Sequence, residues 1–336
     1  MAIGKYLLLG VSLLAITQAA AAADAATGFR VIGRIAGPDG RWDHILIDPR
    51  QDRAYIAHAE RVTAIDLATA RVIDDFARGS QIHTALPIND GTEVLVTNGA
   101  DNTVLIVDAK TGAAVATIAT GTKPDAATFD AATGLVLVMN NESGDITLID
   151  PLQHNAVGSI AIGGALEEAA VDGKGHAFVN VENNNETVVI DLKRRTLSHR
   201  FKLDGCDGPT GIAYSAKGRL VIACDGSAQI RKADDGALIA NFKIGGGSDG
   251  VAYDAKSHLA FIPSGSTGTL TVIEVDGNAP RVLETVDTQI GARTIALNPQ
   301  TGKLYLPTAR FGAKPADGGR PPVLPGSFEV LIVGKN

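Results

Sequence analysis

From about residue 29 to residue 333 the chain is a succession of short apolar runs broken by Asp, Gly, Pro, Asn and Thr. Runs of about five residues bounded by turn formers predict β-strands, because a helix would need ten or more residues at a 3.6-residue period. One run recurs with an Asp at its end: Val62-Thr63-Ala64-Ile65-Asp66, Val104-Leu105-Ile106-Val107-Asp108, Ile146-Thr147-Leu148-Ile149-Asp150 and Val188-Val189-Ile190-Asp191. Weaker copies end at Asp234 and Asp276, and the successive spacings are 42, 42, 41, 43 and 42 residues. So regular a period marks an array of repeated units.

Four short strands fit into each period. The first unit reads His44 to Asp48, Arg53 to His58, Val62 to Asp66 and Arg71 to Phe76. Four strands in about 40 residues predict the blade of a β-propeller, whose sheet faces are covered by its neighbours. Innermost strands begin at Trp42-Asp43-His44, Ile82-His83-Thr84, Pro124-Asp125-Ala126, Leu166-Glu167-Glu168, Pro209-Thr210-Gly211, Ser248-Asp249-Gly250 and Ala292-Arg293-Thr294. The expectation is therefore an all-β, seven-bladed propeller of four-stranded blades, forming one domain over residues 24–336. Its last blade holds only Leu304 to Thr308 and Phe328 to Val333 after its innermost strand, one strand short. Phe29 to Ile35 is predicted to supply the fourth and close the ring, which removes free sheet edges.

Composition narrows the function. Aromatics make up 4% of the 336 residues and Gly numbers 38, so Val, Ile, Leu and Ala fill the core and turns are frequent. A net charge of −7 without a basic run argues against a nucleic-acid partner, since phosphate binding needs concentrated Lys and Arg. Lys5, the apolar run Tyr6 to Ile16 and the small residues Ala19 to Ala23 predict a cleaved signal peptide over residues 1–23. The mature chain is then expected to be periplasmic or secreted, a monomer, and without a membrane span, because the apolar run is shorter than the roughly 18 residues a spanning helix needs.

The segments Leu95-Val96-Thr97-Asn98, Leu137-Val138-Met139-Asn140 and Leu304-Tyr305-Leu306-Pro307-Thr308 resemble the YVTN repeat of secreted YncE-like seven-bladed propellers. The resemblance covers essentially the whole mature chain and implies the same fold. Val181, Cys224 and Ser264 stand where the repeat's Asn falls in other blades, and WD and kelch signatures are absent.

Residues that differ between blades at the channel mouth are the candidates for function, because loops converge there on a rigid scaffold. The aligned mouth position reads Asp43, His83, Asp125, Glu167, Thr210, Asp249 and Arg293, with His44 and Glu168 one residue further in. The ends of the second strands add His58, Asn98 and Asn140. Asp43, His83, Glu167 and Asp249 form a candidate site for a divalent cation, Ca²⁺, Zn²⁺ or Mn²⁺. It is similar in kind to the Glu/Asn/Asp calcium site of gluconolactonase-like propellers. A wet, polar channel mouth without a ligand is the alternative. With Arg293 as the one opposing charge at the aligned position, the mouth is expected to be acidic.

Trp42, the sole tryptophan, is read either as a core or lid filler or as a platform for a ring-shaped ligand. Cys206 and Cys224, the only cysteines, are read as a disulfide on neighbouring strands of the fifth blade or as buried thiols. Ala309 to Ser327 is a long insertion read as a lid carrying Arg310, Lys314 and Arg320, or as an unstructured insert. His154, His176, His199 and His258 read as plain surface residues. No P-loop, Rossmann fingerprint, GxSxG elbow or HExxH motif occurs. The leading expectation is a non-enzymatic module that binds a small molecule or a protein at the channel mouth. The competing one is a metal-dependent hydrolase of the lactonase type, with His44, His58 or His83 as base.

Overall fold

The structure is a computed structural model that describes Met1, residues 27–315 and residues 318–335. Beyond Met1, the predicted signal peptide lies outside the described residues. Seven antiparallel sheets follow one another along the chain, and in six of them the strands pair in sequence order. The seventh runs Arg30–Ala36, Glu329–Gly334, Leu304–Thr308, Ala296–Leu297, so a strand from the start of the described chain completes the last blade and the ring closes.

The second blade shows why these residues form these strands. Its strands are Ala85–Ile88, Glu93–Asn98, Thr103–Asp108 and Ala114–Ala119. No residue of the two middle strands is exposed, whereas the outer strand is mostly exposed. Blades packed on both sides cover both faces of the middle strands, which is why those read as continuous apolar runs. Each core cluster accordingly straddles two blades. Leu137, Met139, Ile146 and Leu148 of the third blade pack against Val179, Val181, Val188 and Ile190 of the fourth. Ile35, Tyr305, Phe328 and Val330 of the last blade pack against Ile45, Ile56 and Ile65 of the first.

The repeating Asp has a structural role. Asp66 Oδ1 accepts the Thr69 N–H and hydroxyl at 2.8 Å each, and Asp108 Oδ1 accepts the Thr111 N–H at 2.8 Å and the Lys110 N–H at 3.1 Å. Asp150 takes the Leu152 N–H at 2.9 Å and Asp191 the Arg194 N–H at 2.9 Å. Each Asp thus holds the turn that leads from the third strand to the fourth.

The first blade departs in detail from the expected four separate strands. Its second and third strands run together as one element, Arg53–Asp66, between Ile45–Asp48 and Arg71–Ile82. His58 Nδ1 nevertheless lies 3.1 Å from Thr63 Oγ1, five residues on, where a straight strand would put them roughly 16 Å apart. The chain reverses at Ala59, which adopts φ 53°.

Candidate functional site at the channel mouth

The mouth positions sit where adjacent blades are tied together. His44 N–H donates to His83 O at 3.1 Å, Thr97 Oγ1 to Asp125 O at 3.3 Å and Thr128 Oγ1 to Ala169 O at 3.0 Å. Asn180 Nδ2 donates to Thr210 O at 3.0 Å, Thr210 Oγ1 to Ser248 O at 3.0 Å and Asp249 N–H to Arg293 O at 3.0 Å. Thr294 Oγ1 donates to Asp43 O at 2.9 Å and joins the last blade to the first. Every neighbouring pair of blades is linked, so the side chains at this level project from a fixed ring.

Five of those side chains form a continuous arc of alternating charge. Arg293 Nε donates to Asp249 Oδ2 at 2.8 Å, and its Nη2 reaches Trp42 O at 2.8 Å and Asp43 Oδ1 at 3.2 Å. The other oxygen of Asp43 lies 2.6 Å from His83 Nδ1, which is 3.1 Å from Asp125 Oδ1. Asp249, Arg293, Asp43, His83 and Asp125 come from blades six, seven, one, two and three in that order. Glu167 lies outside the arc and accepts from Asn141 Nδ2 at 3.0 Å.

The ionisation of these groups follows from burial and neighbours. Burial works against charge on Asp43, but the hydrogen bond from His83 and the positive His44, Arg293 and His83 outweigh it and hold the carboxyl at about 2. Burial also opposes charge on His83, and the Asp43 hydrogen bond with the charges of Asp125 and Asp43 raises its pKa above the ordinary value. Burial pushes Asp125 up. Burial, with Asp125, Asp249 and Glu182 nearby, pushes Glu167 up to about 9, so it is protonated at neutral pH. Arg293 is therefore not the only group facing the carboxylates of the mouth: His83 meets Asp43 and Asp125 there, and Glu167 is held protonated.

One level down, His44 Nδ1 lies 3.2 Å from Glu168 Oε1, and Glu168 Oε2 accepts the Ile212 N–H at 3.3 Å. Both residues line a cavity of about 170 Å³ inside the channel, with Thr84, Ala126 and Ile212. The one-residue ambiguity of the alignment thus resolves into two stacked levels, the upper arc and the lower His44–Glu168 pair.

His58, Asn98 and Asn140 are not part of either level. Each is buried and braces its own hairpin: His58 to Thr63, Asn98 Nδ2 to Thr103 Oγ1 at 3.4 Å, and Asn140 Nδ2 to Thr147 Oγ1 at 2.9 Å. Among the described residues, the His, Cys, Asp and Glu group with ligand atoms all within 4.8 Å of one another is Asp43, His83 and Asp125. Of the expected cation ligands, Asp43 and His83 belong to it, while Asp249 is taken by Arg293 and Glu167 by Asn141. Cys206 and Cys224 are bonded, with Cα atoms 5.3 Å apart. Cys206 lies in the loop ahead of strand Ile212–Tyr214, not on a strand. Three histidines read as plain surface are paired: His154 Nε2 with Glu93 at 3.0 Å, His176 Nδ1 with Asp172 at 2.9 Å and His258 Nδ1 with Asp276 at 3.2 Å.

Trp42 is buried, 5.3 Å from the Phe328 ring and 6.1 Å from that of Phe311, with the Arg293 guanidinium 6.0 Å from its centroid. The described part of the insertion folds back on itself. Phe311 bridges Val323, Gly312 N–H donates to Pro322 O at 2.8 Å and Leu324 N–H to Arg310 O at 2.8 Å. Asp39 anchors its end by accepting the N–H groups of Gly326, Ser327 and Phe328. This flap brings Arg320, but not Arg310 or Lys314, to the mouth cavities. Arg41 reaches the same cavities and was not singled out from the sequence. Its one signal there is its position next to Trp42.

No protein-family model matches the chain, and no curated protein matches it. Solved structures do. A chain of the mitotic checkpoint complex superposes with a TM-score of 0.75 at 12% identity, covering 98% of this chain and 99% of that one. A chain of Kuenenia stuttgartiensis hydrazine synthase gives 0.69 at 15% identity over 87% and 96%, and U3-55K gives 0.72 at 13% over 90% and 98%. At such identities the likeness is one of fold alone.

Proposed function

We propose that this chain is an exported, YncE-like propeller that binds a small molecule or a protein at its channel mouth and performs no chemistry there. The observation that carries this reading is the pairing of the charges along the arc, in which His83 Nε2 alone is buried without a hydrogen-bond partner. Asp249, Arg293, Asp43, His83 and Asp125 each contact an opposite charge within 3.2 Å. A rigid, charge-patterned rim of this kind suits recognition. The similarity to a chain of the mitotic checkpoint complex fits a fold widely used for association.

A lactonase-type hydrolase is the second reading, and Asp43, His83 and Asp125 are the group that favours it. Those residues would hold a divalent cation that polarises a carbonyl or activates water. Arg293 weighs against it, because its guanidinium already occupies Asp43 at 3.2 Å. Titrating chelator-treated protein with Ca²⁺, Zn²⁺ and Mn²⁺, followed by lactone-hydrolysis assays, separates the two. Stoichiometric metal with turnover would overturn the binding reading. Hydrogen exchange with ligands found by thermal-shift screening supplies its positive test: protection should fall on segments 39–43, 81–83, 207–210 and 247–250. Protection confined to the outer strands would count against it.

A further inference from the structure

Above the arc, between the flap and the first blade, lies a cavity of about 570 Å³, a volume suited to a small organic ligand. Its walls are of two kinds. Trp42, Phe311, Val323 and the flap prolines supply flat apolar surface, and Arg41, Arg293 and Arg320 supply positive charge.

These charges are not equally engaged. Arg293 is held by Asp43 and Asp249. Arg41 and Arg320 are exposed and have no hydrogen-bond or ion-pair partner among the described residues. Asp39 is the one carboxylate on this wall. The N–H of Gly326, followed by those of Phe328 and Ser327, lowers its pKa despite some desolvation, so its charge is directed at the flap backbone. The Trp42 indole N–H, buried at the same wall, has no acceptor. Two guanidinium groups without partners beside an aromatic floor match an anion carried on a ring, since Arg pairs with carboxylates in a planar fork and aromatic walls stack flat groups.

We propose that this cavity binds a small aromatic carboxylate, with its ring laid against the wall that Trp42, Phe311 and the flap prolines form and its carboxylate between Arg41 and Arg320. The proposal rests on the binding reading of the mouth and adds to it a ligand class and a location. It also gives the flap a task, because Arg320 reaches the cavity from the flap that the Phe311–Val323 bridge folds back.

Trp42 is the only tryptophan and lines this cavity and the smaller one beside it, so its fluorescence reports on this part of the mouth. The test titrates the mature protein with phenylacetate, with neutral phenylacetamide and with cationic phenethylamine. Phenylacetate should change the fluorescence saturably, and Arg41→Gln and Arg320→Gln should each weaken it about tenfold, the loss of one charge-assisted hydrogen bond. Phenylacetamide should bind at least about tenfold more weakly than phenylacetate, and phenethylamine should give no saturable response. No saturable response to phenylacetate, equal responses to the three probes, or unchanged affinity in the Arg41→Gln/Arg320→Gln double variant would overturn the proposal. If that happens while other ligands still protect the mouth segments from exchange, this site alone falls. If mouth protection is missing too, the binding reading falls with it.

Discussion

His44 of the first blade and Glu168 of the fourth meet across the channel, Nδ1 to Oε1 at 3.2 Å, and so tie opposite walls of the ring. Burial opposes charge on His44, but the Glu168 hydrogen bond and the negative Asp43, Glu168 and Asp249 hold its pKa well above the ordinary value. The native state therefore keeps a proton that the unfolded chain releases above about 6.5. The resulting stability is fully present below that pH and is lost as pH rises through the folded-state pKa. Glu168→Gln should cost about 3 kcal/mol near pH 6, and the deficit should shrink at alkaline pH. Urea unfolding at both pH values checks this, and a deficit independent of pH would contradict it.

Glu167 and Asp43 should respond in opposite ways. Glu167 is protonated up to about pH 9 in the folded protein, whereas the unfolded chain gives up that proton near its ordinary value. Its carboxyl thus lowers stability as pH rises above roughly 4.5. Glu167→Gln copies the protonated form and should be more stable than the parent by up to roughly 5 kcal/mol near pH 8. Asp43, held at about 2, contributes stability that is present above its ordinary value and lost as pH falls through the folded pKa. Asp43→Asn should cost about 3 kcal/mol at neutral pH and progressively less in acid. Denaturant curves across pH distinguish the two behaviours.

Burial, and secondarily the charge of Arg61, pushes His58 down to about 4, so it stays neutral in the fold. Between about 4 and 6.5 the unfolded chain binds a proton that the native state refuses, and stability falls on acidification by up to about 3 kcal/mol. His58→Asn installs the residue that braces the equivalent hairpins at Asn98 and Asn140. It should flatten this part of the acid limb in a series of thermal melts, and an unaltered limb would assign the loss to other groups.

Cys206 and Cys224 are 18 residues apart and both sulfur-bearing side chains are buried. Constraining a loop of that length in the unfolded chain is worth about 3 kcal/mol. The Cys206→Ala/Cys224→Ala variant should keep the propeller's circular dichroism and unfold at a correspondingly lower urea midpoint.

The blades were legible because their determinants are local and repeated: an apolar middle strand, a turn, and the Asp that caps it, as at Asp66, Asp108 and Asp150. The seven mouth positions could be aligned for the same reason. Their pairing could not be read, because His83 meets Asp43 from 40 residues away and Arg293 meets Asp249 from 44. No neighbouring residue signals such contacts. His58, Asn98 and Asn140 were misplaced because the sequence locates a strand end but not whether its side chain faces the channel or crosses the hairpin. The cavity under the flap was hidden for a related reason: its walls join Arg41 and Trp42 to Phe311 and Arg320, segments at opposite ends of the propeller's sequence.

The pairing of Arg30 with Gly334 has a consequence for assembly. It spans nearly the whole propeller, and contacts of such separation carry the greatest loop-closure cost, so late closure of the seam is the expectation. Trp42 against Phe328, Arg293 against Asp43, and the flap anchored on Asp39 all cross that seam. A ring open at this seam can hold most of its blades but has no completed mouth, so the mouth depends on contacts between the two ends of the propeller's sequence.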